Sequence, residues 1–193
     1  MDEKWWQKSV VYQIYPKSFN DTTGNGAGDI QGIIDKLDYL KNLGIDVIWL
    51  TPIYASPQKD NGYDISDYYK IHPEYGIMAD FEKLLTEVHQ RGIKLIMDIV
   101  VNHTSTEHKW FKEAQASKVN SYRNYYIWKD GDSSTPPTNW QSKFGGSAWQ
   151  YDASTKQYYL HLFDKTQADL NWENEDLRQA VYQMMNYWLD KGG

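Results

Sequence analysis

A chain of 193 residues can bury one sizeable core plus an insertion. Its 20 Lys and Arg against 26 Asp and Glu leave a net charge of -6, which gives no sign of the basic face that a nucleic-acid partner requires. The absence of cysteine excludes disulfides, thiolate metal sites and thiol catalysis together. The start, Met1-Asp-Glu-Lys-Trp-Trp6, has no apolar run resembling a signal peptide, and no window approaches the roughly 18 apolar residues of a membrane span. A cytoplasmic location with no membrane partner is the expectation.

In chain order, Val10 to Tyr15 is a β-rich run, and Ile30, Ile33, Ile34, Leu37, Leu40 and Leu43 then recur at helical spacing before Gly44, a helix-ending residue. Asp46-Val-Ile-Trp-Leu50 reads as a second strand, stopped by Pro52. Phe81, Leu84, Leu85 and Val88 mark a second helix, closed by Gly92, and Ile93 to Val101 reads as a third strand. Strand and helix in strict alternation predict parallel βαβ units with right-handed crossovers.

From Thr104 to about Trp172 the pattern turns polar and aromatic, with a Gly- and Pro-containing run at Asp130-Gly-Asp-Ser-Ser-Thr-Pro-Pro137. A structureless loop of that length is improbable, so the stretch is expected to be a small inserted α+β domain with strands such as Tyr158 to Phe163. Asn174 is placed to cap a third helix carrying Leu177, Ala180, Val181, Met184, Met185, Trp188 and Leu189 on one face. The expected organisation is therefore α/β: the first three units of a (β/α)8 barrel in residues 1–103, an insertion in 104–172, and the third barrel helix in 173–193. A complete barrel takes roughly 250 residues, so the barrel is expected to be truncated.

Several segments carry candidate chemistry. Asp21, Thr23, Asn25, the Ala27 carbonyl and Asp29 place oxygens at alternate positions of a glycine-rich loop that suits calcium or magnesium, although Gly32 stands where a bidentate Glu would close such a loop. The plainer reading is a turn in which Asp29 caps the following helix. Asn61-Gly-Tyr-Asp64 is first a turn signal, and after a barrel strand it also offers a ring and a carboxylate to one sugar. Asp98-Ile-Val-Val-Asn-His103 ends the third strand at the barrel mouth, where such folds keep their chemistry; a merely satisfied buried polar network is the competing reading. The 9 Trp, 16 Tyr and 5 Phe, many among polar residues, suit flat sugar rings.

Taken together these residues resemble the alpha-amylase superfamily of retaining glycoside hydrolases (family thirteen). Asp98 to His103 resembles its first signature region, and Gln167-Ala-Asp-Leu-Asn171 resembles the short signature near the end of its inserted domain. The likeness runs from Val11-Tyr-Gln-Ile-Tyr-Pro16 to the last helix. Pro16 to Gly24, Thr138 to Trp149 and Gln167 to Asn174 look most like the branch that hydrolyses trehalose 6-phosphate to glucose and glucose 6-phosphate. Oligo-1,6-glucosidases and dextran glucosidases are the alternative, and a non-catalytic amylase-like subunit is a third reading.

The resemblance implies that Asp64 holds a glucose on which Tyr63 stacks, that His103 bonds to the same sugar, and that Asp98 supports an arginine preceding the nucleophile. It implies too that Phe144, Phe163 and Gln167 line the pocket. Lys143, ahead of Lys17 and Arg123, is the candidate for a substrate phosphate. The nucleophilic Asp and the acid Glu are expected beyond Gly193; Asp60, Asp64, Asp98 and Asp169 match no catalytic position, so the chain alone is expected to be inactive. The implied partners are a small sugar or sugar phosphate, with the remainder of the barrel, or a partner chain, completing an otherwise open sheet.

Overall fold

The computed structural model describes residues 4–193, so the expectation about the start of the chain falls partly on residues 1–3, outside them. In order the elements are β1 (Val11–Ile14), α1 (Pro16–Phe19), α2 (Ile30–Asp35), α3 (Leu37–Leu43), β2 (Val47–Leu50), β3 (Tyr54–Ala55), β4 (Asp67–Ile71), α4 (Met78–Gln90) and β5 (Lys94–Met97). They continue with β6 (His103–Ser105), α5 (Lys109–Ala116), β7 (Trp128–Asp130), β8 (Trp149–Asp152), β9 (Gln157–Leu160), β10 (Gln167–Asp169) and α6 (Glu175–Lys191). Two compact units result. One takes in the residues up to Ala55, Tyr69–Ile99 and Tyr187–Gly193; the other takes in Ser56–Tyr68 and Val100–Asn186. Among the described residues no helix is long and apolar enough to cross a membrane.

The first unit is built on a parallel sheet of order β1-β2-β5, with Val47 opposite both Val11 and Lys94. Central β2, paired on both edges, is apolar throughout; Val47, Ile48 and Leu50 are enclosed and Trp49 is half-buried. The ladder stops at the pair Leu50 and Met97, where β2 gives way to Thr51-Pro52, and the Asp98 amide adds a final bond to the Leu50 carbonyl at 3.2 Å. The third strand is thus four residues long and does not reach Val101, because it has no partner left to pair with.

Ile30, Ile33, Leu37 and Leu40 are buried as their spacing requires, but the segment is two helices that meet at Lys36 (φ -104°, ψ 3°), and Leu43 is 54% exposed. Asp29 Oδ1 caps α2 by accepting from Gly32 N at 2.7 Å. Gly44 ends α3 at φ 89°, a left-handed conformation that a side chain disfavours. In α4 the buried Phe81, Leu84, Leu85 and Val88 form one stripe. Trp188, near the end of α6, meets the Phe81 and Tyr54 rings edge-on at 5.2 and 5.5 Å, while Leu189 is turned out at 60% exposure.

The second unit holds an antiparallel sheet of order β7-β9-β8 and a separate antiparallel pair, β6 with β10. The long polar and aromatic stretch is therefore a packed body, held by rings rather than by aliphatic periodicity. Phe111 of α5 meets Tyr126, Trp128 and Tyr159 at 5.1, 5.7 and 4.9 Å. His108 caps α5 by accepting the Trp110 amide on Nδ1 at 3.0 Å, and burial pushes its imidazole down to about 4. The guanidinium of Arg123 lies 3.5 Å over the Trp128 ring and donates to the Ala114 carbonyl, Thr155 and Gln157. With 4% exposure Arg123 is an interior anchor, which removes it as a phosphate ligand.

Between α1 and α2 the chain comes very close to itself. A Cβ added at Gly32 would lie 2.0 Å from the Asn20 carbonyl oxygen, while Asn20 Nδ2 donates to the Gly32 carbonyl at 3.1 Å. Gly32→Ala is therefore expected to cost about 1–3 kcal/mol or more, as overpacking does. Urea unfolding of variant and parent side by side measures it, and an unchanged midpoint would show that the approach is looser than described.

Candidate functional site

The candidate site lies in the second unit and starts from one enclosed carboxylate. Asp64 has no exposed surface; its Oδ1 accepts from Ser56 Oγ and Asp60 N, and its Oδ2 from Lys59 N, all at 3.0 Å. Segment 56–64 is wound around this acceptor, and the winding puts Gln58 and Asn61 at positive φ (62° and 52°). Asn tolerates that region and Gln does so at a cost. Three donors occupy most of the lone-pair directions of Asp64, so the carboxylate is above all the organiser of its own loop.

His103 stands next to that loop. Its Nε2 is 2.9 Å from the Tyr63 carbonyl and its Nδ1 is 3.0 Å from Asn102 Nδ2. The ring is 5% exposed and tilted against Phe163 at 5.2 Å. Burial lowers its pKa foremost, with the Tyr63 carbonyl and the charges of Asp60 and Asp64 pulling the other way, so the ring is neutral at pH 7. Because β6 pairs antiparallel with β10, Asp169 lies opposite His103 and Gln167 opposite Ser105. Gln167 Nε2 reaches Asp60 Oδ2 at 2.8 Å and comes within 3.2 Å of His103 Nε2. Tyr63, Asp64, His103, Phe163 and Gln167, chosen from scattered positions, are thus brought together, and Asp60 and Asn102 join them. Asp60 is tied to Gln167 across 107 positions, so no local pattern marks it as a member.

Next to Phe163, a cleft of about 240 Å³ is lined by Phe144, Trp149, Gln150, His161 and Lys165 among others. Phe144 meets Phe163 edge-on at 5.8 Å and is 60% exposed. Lys143 is exposed and outside the cleft lining; its amide donates to the Leu162 carbonyl at 2.8 Å. The cation on the cleft wall is Lys165, two residues before Gln167.

Asp98 and the glycine-rich loop belong to the first unit. The Asp98 carbonyl accepts from Tyr54 Oη at 2.9 Å, and its charge adds to burial in raising the Tyr54 phenol. In the loop, Asp21 accepts from the amides of Thr23, Gly24 and Gly26 at 2.8–2.9 Å, led by Gly26, which holds its carboxyl below the usual range. Asp29 has both oxygens engaged, Oδ1 as the α2 cap and Oδ2 with Thr22. Asn25 Oδ1 accepts from Ala27 N at 2.9 Å. Among the described residues no three His, Cys, Asp or Glu side chains gather as a metal cluster. Asp21 and Asn25 thus turn their oxygens on amides of their own loop, and Asp29 is largely committed to the helix.

Residues 13–193 match the alpha-amylase family, described as the alpha amylase catalytic domain. The chain belongs to that family. It is 68% identical over 189 residues to a trehalose-6-phosphate hydrolase of Bacillus subtilis (strain 168), covering 97% of this chain and 34% of that protein. It is 62% identical over 192 residues to an oligo-1,6-glucosidase of Bacillus cereus, covering 100% of this chain and again 34% of the relative. The crystal structure of a Bacillus licheniformis trehalose-6-phosphate hydrolase superposes with a TM-score of 0.96 at 71% identity, covering 98% of this chain and 34% of the other. The chain therefore spans about a third of the length of these alpha-amylase family relatives, and its open sheet with flanking helices is an N-terminal part of their (β/α)8 fold.

Asp169 is a buried carboxyl of the site whose charged form burial disfavours. It is 4% exposed, accepts from Leu162 N at 2.8 Å, and its carboxyl is pushed up to about 6 by burial, against the Leu162 amide and the Asn102 side chain. A carboxyl held above its unfolded value of 3.8 favours the fold fully below that value, and the gain is lost as pH rises through about 6. Urea unfolding between pH 4 and 7.5 should show the parent losing up to about 3 kcal/mol relative to Asp169→Asn; parallel curves would mean that Asp169 ionises freely.

Proposed function

We propose that the chain is part of a retaining α-glucosidase whose substrate is trehalose 6-phosphate. The observation that carries this reading is the 71% identity, over 98% of the chain, to a trehalose-6-phosphate hydrolase of known structure. The 62% identity to an oligo-1,6-glucosidase keeps isomaltose-type substrates as the second reading.

Retaining hydrolysis needs a carboxylate nucleophile and a carboxylic acid about 5 Å apart on opposite sides of the scissile bond. We assign neither to this chain. Its own residues bind and orient: His103 and Gln167 offer N–H donors beside the acceptor Asp60, with Phe163 as an apolar wall. Donors and acceptors set into an aromatic recess suit the equatorial hydroxyls and flat face of a glucosyl ring. Asp64 acts by holding segment 56–64, and Tyr63 presents both its ring and the carbonyl that anchors His103. Asp98, in the first unit, is assigned the support of an arginine that precedes the nucleophile, and Phe144 is assigned to the pocket wall. Lys143 is assigned to the phosphate, with its exposure leaving it free to meet a charged group at the rim.

Hydrolysis by the full-length protein separates the substrates. Trehalose 6-phosphate is expected to be cleaved with at least a tenfold higher kcat/KM than isomaltose, and Lys143→Ala is expected to narrow that ratio by raising KM for the phosphorylated sugar alone. Faster isomaltose cleavage would place the protein with the oligo-1,6-glucosidases.

The Asp21–Asp29 loop is proposed to take a hard cation, calcium or magnesium, with Asp21 as the charged ligand and Asn25 and the Ala27 carbonyl as neutral ones. Its contribution is to stiffen the loop, since binding the folded state alone raises stability by mass action. Millimolar calcium should raise the melting temperature of the protein and leave Asp21→Asn unmoved; equal shifts in both would locate the cation elsewhere.

A further inference from the structure

We propose that the second unit carries a saccharide groove of its own, made of two adjoining hollows that hold two linked rings of a neutral glucan. His103 and Asp60 take no part in it. The choice of glucose as the sugar rests on the proposed function; the groove itself does not.

The first hollow, of about 240 Å³, is the cleft beside Phe163. A second, of about 320 Å³, is lined by Gln115, Tyr151 and Asp152 among others. Gln150 and Lys165 line both, so the hollows adjoin across one shared wall. Pockets for drug-sized ligands run to about 300–1,000 Å³, so each hollow suits a single ring and the pair suits a short chain. Tyr159 fixes both residues of the wall. It pairs with Gln150 across β9 and β8, and its hydroxyl donates to the Lys165 carbonyl at 2.6 Å.

His161 is the observation that calls for an occupant. Its ring is 5% exposed yet lines the first hollow, and its Nδ1 is 3.0 Å from the Phe163 carbonyl. A carbonyl can only accept, so Nδ1 carries a hydrogen and, in the uncharged ring, Nε2 is a bare acceptor. No group among the described residues donates to it. Leaving a buried acceptor without a donor is costly, and such groups are normally met by a partner. The exposed Lys165 ammonium is the complementary case, a donor with no side-chain hydrogen bond or ion pair among the described residues.

The charges on the walls choose the class of ligand. The first hollow has one carboxylate, Asp164, against Lys165, and the second has Asp152 against the same lysine. A phosphate would meet Asp164 as well as Lys165, and an apolar chain would leave His161 unmet. What the groove offers is an acceptor at His161, donors at Lys165, an amide at Gln150 that can do both, and the 60% exposed Phe144 ring as a flat face. Hydroxyls set around a ring with an apolar face match that combination.

The test is native electrophoresis of the full-length protein through gels containing dextran or glycogen, with melting curves to show that each variant is folded. Retardation by at least one of the two glucans is expected, with Lys165→Ala and Gln150→Ala each weakening the apparent affinity at least fivefold. Phe163 is common to the first hollow and to the recess around His103, so His103→Asn serves as the control and is expected to stay retarded. Migration that neither glucan slows, or equal retardation of the parent and both groove variants, would overturn the proposal. Loss of retardation in a folded His103→Asn protein would do the same, because the recess would then be holding the glucan. Hydrolysis is read separately: a protein that cleaves no trehalose 6-phosphate but is retarded through Lys165 and Gln150 would sink the proposed function and leave the groove standing.

Discussion

The antiparallel pairing of β6 with β10 is the constraint on which the site depends. Three residues on each side bring His103, Thr104 and Ser105 against Asp169, Ala168 and Gln167. Strand side chains alternate between faces, so a slip of one residue would send Gln167 away from Asp60 and His103 and put Ala168 in its place. Both strands are buried at every position, and buried positions specify register strongly. A polar constellation is thus aligned by a short ladder whose apolar surroundings admit one alignment.

The same enclosure sets the electrostatics. Asp64 and Asp169 are comparably hidden, yet their situations differ: Asp64 accepts from three donors within its own segment, while Asp169 has one backbone amide and a share of Asn102. Hydrogen bonds to a carboxylate favour its charged form, and burial without enough of them disfavours it. The raised carboxyl of Asp169 follows from that shortfall. Arg123 shows a third solution, in which a buried cation is satisfied by neutral acceptors and the face of Trp128 rather than by a direct ion pair.

What could be read in advance follows from where each structural signal resides. The apolar spacing of Ile30, Ile33, Leu37 and Leu40, and of Phe81, Leu84, Leu85 and Val88, located the helices of the first unit because burial there follows helical period. Strand ends were less legible, since Ile93 to Val101 is apolar except at Lys94 and Asp98 while the ladder ends where β2 ends. In the second unit the organising contacts are ring against ring and carry no period, so a folded body could be expected there without its strands being placed accurately. Tyr63, Asp64, His103, Phe163 and Gln167 were visible through short motifs. Asp60 and Asp169 were visible only as carboxylates without a role, because their partners lie far along the chain or depend on register.

The winding of residues 56–64 around Asp64 bears on how costly recognition is. A loop that gathered its donors only when a ligand arrived would lose backbone freedom at that moment, at roughly 1–2 kcal/mol for each residue fixed. Here the carboxylate has already drawn in Ser56, Lys59 and Asp60, and the positive φ values of Gln58 and Asn61 belong to the resting loop. The ordering entropy is spent during folding, so an incoming ring meets a surface that is already rigid, and more of its contact energy can appear as affinity.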